Sequence, residues 1–210
     1  YQLMYGTFLL PLVKEFHHNK EKFKMFEVGM GCNPSTMLKK KGVDIWRAML
    51  DPERDELWMA EYSTSCVQAM REKGAMPPHV NVVTGDQGNK EVLERWVQES
   101  GGNFDVFIDD GGHYNSQIYN TFQVMWDQVK PGGFYFIEDL HVSRTKTYDD
   151  TNGEFIMADV ISDWNEQLII PSRKPLVKHK LPPRVKFIMC QAEACVISKC
   201  AVDDSAWCSK

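Results

Sequence analysis

Phe104-Asp105-Val106-Phe107-Ile108-Asp109-Asp110-Gly111-Gly112-His113 and Gly133-Phe134-Tyr135-Phe136-Ile137-Glu138-Asp139-Leu140-His141 decide the fold. Each is a short run rich in aromatic and β-branched residues that ends in a pair of acids, the pattern of a strand whose carboxyl end is polar. Three similar runs lie upstream: Lys24 to Val28, Leu57 to Glu61 and Val80 to Thr84. Helical spacing fills the gaps. Glu91 to Val97 puts Val92, Leu93, Trp96 and Val97 on one face, and Ile118 to Val129 does the same with Ile118, Phe122, Met125, Trp126 and Val129. Lys130-Pro131-Gly132-Gly133 reads as a helix stop and a turn, and Phe155 to Leu168 as a further helix. Val185 to Met189 and Ala194 to Ser198 read as a hairpin.

Strands alternating with helices imply a doubly wound α/β fold, with a mostly parallel seven-stranded Rossmann-like sheet and a C-terminal antiparallel hairpin. The expected division is a helical lead-in over residues 1–22, one domain over 23–200 and a Cys-containing tail over 201–210. The 210 residues are 43% apolar and 25% charged, an ordinary globular balance that excludes disordered and fibrous classes. Twenty-four basic against 29 acidic residues give a net charge of −5, which argues against a general nucleic-acid binder. No apolar run approaches the ~20 residues of a membrane span. Phe8 to Val13, the longest, is broken by Pro11. The chain opens on Tyr1 and not Met, which leaves room for an upstream signal or anchor.

The carboxyl ends of parallel strands are where such sheets bind ligands. After the first strand comes Glu27-Val28-Gly29-Met30-Gly31, whose glycines let backbone approach a ligand closely. Glu61 ends the second strand, where a carboxylate can accept both hydroxyls of a ribose. Gly85-Asp86-Gln87 follows the third; Asp86 is placed to accept from an adenine amino group and Gln87 to lie against the ring. Strands four and five end in Asp109-Asp110 and Glu138-Asp139. Neighbouring strand ends lie ~5 Å apart, so four carboxylates crowd one rim. Their repulsion asks for a positive occupant, and oxygen ligands suit Mg²⁺ or Mn²⁺. His113 begins the next segment, where an imidazole can remove a proton near neutrality, and His141 is a weaker candidate on the substrate side.

Together, Phe26 to Gly31, Gly85-Asp86-Gln87, Ile108 to Asn115 and Pro131 to His141 resemble class I S-adenosylmethionine-dependent methyltransferases. More narrowly they are similar to the metal-dependent macrocin- and mycinamicin-type sugar O-methyltransferases, with much of the pattern shared by cephalosporin-hydroxylase-type proteins. The likeness runs from about residue 5 to residue 165. The resemblance implies that Asp110, Glu138 and Asp139 ligate Mg²⁺ or Mn²⁺ and that His113 is the base. It implies that Glu27, Gly29, Gly31, Glu61, Asp86 and Gln87 hold S-adenosylmethionine, with Asp109 between cofactor and metal. The acceptor implied is a small-molecule or glycan hydroxyl, most simply one of a vicinal diol on a sugar. A catechol-type acceptor and a cofactor-binding regulator without turnover are the alternatives, and a homo-oligomer is compatible with either. The sequence departs from the family at Gly112, where Ser is usual, in a loop expanded around Cys32-Asn33-Pro34 and Lys39-Lys40-Lys41, and in the tail.

Six cysteines leave the compartment open. Cys190, Cys195, Cys200 and Cys208 fall in the last 21 residues, and their spacing accommodates two disulfides, free thiols or, least well, a zinc site. Disulfides would point to a secretory lumen and free thiols to the cytoplasm.

Overall fold

The computed structural model describes residues 1–32, 41–76, 78–170, 178–204 and 208. The expected Asn33-Pro34 and Lys39-Lys40 part of the expanded loop lies outside the described residues. Seven strands form one sheet in the order β3-β2-β1-β4-β5-β7-β6. These are β1 Lys24–Val28, β2 Glu56–Glu61, β3 Val80–Thr84, β4 Phe104–Asp109, β5 Val129–Ile137, β6 Val185–Gln191 and β7 Ala194–Lys199. The first five pair in parallel, and β7 runs antiparallel to both β5 and β6. This is the expected doubly wound sheet with its terminal hairpin.

β4 is buried along its whole length, as a central parallel strand covered on both faces should be. One face carries an aromatic layer. Phe107 stacks between Phe26 and Tyr135 at 5.2 and 4.9 Å, and Phe122 joins Tyr135 to Trp164. Helices α5 (Lys90–Ser100), α6 (Asn115–Met125) and α7 (Met157–Ile169) cover this layer. The opposite face buries Met25, Met59, Val106, Ile108 and Phe136. It is covered by α3 (Lys41–Met49), α4 (Thr64–Glu72) and an N-terminal helical segment. That segment runs as α1 (Gln2–Met4), a π-helical turn (Tyr5–Leu9) and α2 (Leu10–Asn19), and is closed by Lys20 in the left-handed conformation.

One boundary differs from the sequence expectation. Lys130 to Gly133 does not form a turn after a helix; α6 stops at Met125, a 3₁₀ turn follows, and β5 already begins at Val129. The pairing of β4 with β5 shifts register between Phe104 and Val106, and such an irregularity admits Pro131 into a strand. Gly133 is needed there because a Cβ would stand 2.6 Å from the Asp105 carbonyl oxygen. No helix among the described residues is long and apolar enough to cross a membrane.

Candidate active site

The chain leaves β1 towards β2 on one side and later returns to β4 on the other, so a crevice opens above the carboxyl ends of β1 and β4. The two loops that leave these strands touch. Asp110 donates its N–H to the Val28 carbonyl at 3.0 Å, and Gly29 donates to the Ala60 carbonyl at 3.0 Å. Gly29 has φ +102°, and a Cβ on it would fall 1.8 Å from the Asp110 carbonyl oxygen. Only glycine fits. Above lies a cavity of about 690 Å³, within the usual range for small-molecule sites. Gly29, Gly31, Glu61, Asp86, Gln87, Asp110, His113 and Asp139 all border it.

Glu61 spans the gap between two loops. Its Oε2 accepts from Cys32 N–H at 2.9 Å and its Oε1 from Ser63 N–H at 3.1 Å. Asp86 Oδ1 accepts from Gly88 N–H and from Gln117 Nε2, which leaves Oδ2 for a ligand. Gln87 borders the cavity but is not free to lie against a ring. Its amide donates to Asp109 Oδ1 at 2.9 Å and accepts from Gly112 N–H at 2.8 Å, so it braces two loops.

Two expected cofactor residues are not on the wall. Asp109 points the same way as Phe107, into the aromatic layer, where Tyr135 donates to its Oδ2 and burial pushes its carboxyl up to about 7. Glu27 points to the other face beneath α3, where Trp46 Nε1 donates to it at 2.7 Å. Strand alternation is the reason in both cases. Burial pushes the Glu27 carboxyl up to about 8. In the folded protein Glu27 therefore keeps a proton that the unfolded chain releases above its ordinary pKa. Its contribution to stability falls as pH rises from about 4.5 to about 8 and stays low beyond. Glu27→Gln, which retains an acceptor for Trp46, should thus gain on the parent by a few kcal/mol in denaturant titrations at pH 9 relative to pH 5. An equal difference at both pH values would show that Glu27 is ionised throughout.

The rim brings together Asp110, His113 and Asp139, whose ligand atoms lie within 4.8 Å of one another. His113 Nε2 stands 3.6 Å from Asp139 Oδ2 and 4.0 Å from Asp110 Oδ1. Burial, with the charge of Asp139 behind it, pushes Asp110 up to about 7. Burial also holds the His113 imidazole below its ordinary value, against the pull of Asp139. Two hard oxygen donors at this spacing suit a divalent cation, with the His113 nitrogen beside them. Glu138 is not within that group. It lies on the Phe136 side of β5, where Tyr5 donates to its Oε1; Tyr1 donates to Asp139 Oδ1. His141 stands at the edge, 3.9 Å from Asp139.

Several site residues were not anticipated. Gln117, one turn after His113, fills the space beside Gly112: a Cβ at Gly112 would meet its Oε1 at 1.9 Å. The glycine is thus matched by a larger neighbour and is not a simple loss. Nothing in the spacing pointed to Gln117. All six cysteines are paired, as Cys32–Cys66, Cys190–Cys195 and Cys200–Cys208. The C-terminal pairs were among the open expectations; Cys32–Cys66 was not. It joins the glycine loop after β1 to α4 after β2, and Cys32 borders the cavity. Cys66→Ser should lower stability by about 2–4 kcal/mol and loosen the loop that carries the Glu61 contact. Denaturant titration and adenosine-nucleoside binding, each with and without a reducing agent, check this. Reductant should weaken the parent more than the variant, which has only Cys190–Cys195 and Cys200–Cys208 left to lose.

Comparisons with known proteins bear on the family and the fold. A family model described as a methyltransferase domain matches residues 27–140. Mycinamicin VI 2''-O-methyltransferase of Micromonospora griseorubida is 39% identical over 61 residues, 29% of this chain and 15% of that protein. L-olivosyl-oleandolide 3-O-methyltransferase of Streptomyces antibioticus is 42% identical over 67 residues, 32% of this chain and 17% of that protein. Among solved structures, the MycE methyltransferase in complex with Mg, SAH and mycinamycin VI superposes with a TM-score of 0.69. That match covers 90% of this chain and 47% of the MycE chain at 18% identity, a likeness of fold. The chain thus spans about half the length of MycE.

Proposed function

Because the chain belongs to the methyltransferase-domain family, we propose that it transfers a methyl group from S-adenosylmethionine to a hydroxyl of a sugar, one of a vicinal pair, with the help of Mg²⁺ or Mn²⁺. The single observation that carries this reading is the meeting of the Asp110–His113–Asp139 rim with the cavity above Gly29. The relatives' names support a sugar hydroxyl as acceptor, and MycE was crystallised with Mg and SAH.

In this reading Gly29 and Gly31 pass beneath the methionine part of the donor. Glu61 faces the ribose and Asp86 Oδ2 takes the adenine amino group. Asp110 and Asp139 would hold the cation, with Glu138 beside them. A bound divalent cation lowers the pKa of an acceptor hydroxyl and neutralises the rim. His113 Nε2 takes the hydroxyl proton. The freed oxygen forms a bond to the methyl carbon as the carbon–sulfur bond breaks, its electron pair passing to sulfur. Burial holds the His113 imidazole below its ordinary value, against the pull of Asp139, which favours the form that can accept that proton. The cavity walls would hold donor and acceptor together, and positioning is the largest part of such a displacement.

The test is a panel of glycosides and catechols incubated with methyl-labelled donor and Mg²⁺, read by mass spectrometry. A gain of one methyl on vicinal-diol glycosides is expected. Transfer to catechols alone would move the acceptor class. No transfer to any acceptor, with donor binding intact, would favour a regulator.

A further inference from the structure

We propose that a second cavity, beside the cation rim, is the subsite for the group attached to the acceptor sugar, an uncharged and largely apolar aglycone. The inference rests on the sugar-methylating reading above and extends it to the rest of the acceptor.

The cavity has a volume of about 400 Å³ and lies at the ligand-binding end of the sheet. β7 runs antiparallel to β5, with Cys195 opposite Ile137, so the turn between β6 and β7 stands beside the carboxyl end of β5. That turn is fastened twice. The Cys190–Cys195 disulfide joins the two strands at paired positions, and the Glu193 carbonyl accepts from Leu140 N–H at 2.7 Å. A third wall comes from α7. Its Ala158, Ile161, Ser162 and Asn165 border the cavity, and their spacing of i, i+3, i+4 and i+7 puts them on one helix face.

Asp139 stands between this cavity and the first. Its Oδ2 lies 3.6 Å from His113 Nε2, and both residues border the first cavity. Its Oδ1 lies 3.9 Å from Nδ1 of His141, which borders the second. Ligand atoms of Asp139, His141 and Glu193 fall within 4.8 Å of one another, and Glu193 also borders the second cavity. A sugar ring that brings a hydroxyl to His113 therefore has its other substituents within reach of His141 and Glu193. The group it is bonded to continues into the second cavity.

The lining selects the occupant. Leu140, Ile161, Ala194 and Cys195 are buried and give an apolar floor. Ser162 and Asn165 stand on the wall, and their side chains make no hydrogen bond among the described residues, so both are open to a ligand's hydroxyls. No Lys or Arg borders the cavity among the described residues. Nothing there would pair with a phosphate, so a sugar carried on a nucleoside diphosphate finds no partner. An apolar floor with a few placed polar groups suits an uncharged aglycone.

The experiment uses the full chain with methyl-labelled donor and Mg²⁺. The probes are methyl and 2-naphthyl glycosides of L-rhamnose and of D-glucose, with UDP-glucose beside them. For the sugar that gains a methyl, kcat/KM should favour the naphthyl over the methyl glycoside by about 10-fold or more. Ala158→Phe, which fills the cavity from α7, should bring that ratio to within about threefold of one. S-adenosylhomocysteine affinity should stay within a few-fold of the parent. Damage to the fold alone would slow both glycosides alike and leave the ratio as it was. A ratio near one in the parent, an unchanged ratio in Ala158→Phe, or a preference for UDP-glucose would overturn the inference and leave sugar methylation standing. No methyl gained by any probe would overturn both. Should Ala158→Phe fail to fold, Ser162→Phe closes the same cavity from an exposed position, and an unchanged ratio there counts against the proposal.

Discussion

His113→Ala should lower turnover by about 10²–10⁴-fold while leaving donor affinity within a few-fold of the parent. His113 borders the cavity beside Asp110 and Asp139. Removing the imidazole therefore takes away the proposed proton acceptor and leaves Glu61 and Asp86, proposed to face the nucleoside, in place. His113 has φ +59°, a left-handed backbone that alanine meets with the same Cβ, so the substitution leaves that backbone as it is and the variant should fold. Single-turnover rates and calorimetric binding of S-adenosylhomocysteine separate the two effects. Donor affinity that vanished together with turnover would make His113 a binding residue and not the base.

Gly29→Ala should abolish both donor binding and activity and lower stability by about 3 kcal/mol or more. The added Cβ would stand 1.8 Å from the Asp110 carbonyl oxygen and 2.6 Å from its carbon, at φ +102°. These are backbone atoms of the neighbouring loop and cannot swing aside. Relief requires the β1 and β4 loops to part, which displaces Asp110 and the cavity floor together. Gly31→Ala is the control. Gly31 also has positive φ, +68°, but nothing lies within 4 Å of its added Cβ. Only the left-handed backbone is opposed there, a cost of about 1–2 kcal/mol. Denaturant titration and donor binding on the two variants should therefore diverge sharply. Equal, mild effects would mean that the contact between the two loops is not what shapes the crevice.

The acid pairs at the ends of β4 and β5 made the fold and the rim legible in the sequence, because strand ends and polar punctuation are local signals. Glycines at 29 and 31 were legible for the same reason. What the sequence did not disclose is which way each acid points. Asp109 and Asp110 are adjacent, yet one is buried among aromatics and the other borders the cavity. Glu27 and Glu138 turn to the face covered by α3 and the N-terminal helix, a consequence of strand phase that motif matching ignores. Long-range partners were equally hidden. Tyr5 meets Glu138 across 133 positions, and Cys32 meets Cys66 only because β1 and β2 are neighbours. Lys130 to Gly133 misled because Pro and Gly are turn residues in most contexts, and a register shift here admits them to a strand.

The most direct test of the cation rim is diffraction from crystals grown with Mn²⁺ and S-adenosylhomocysteine, with anomalous data collected for manganese. The expected result is one strong peak ~2.0–2.3 Å from carboxylate oxygens of Asp110 and Asp139, beside a nucleoside lying over Gly29. A nucleoside in place with no anomalous peak at those carboxylates would contradict it.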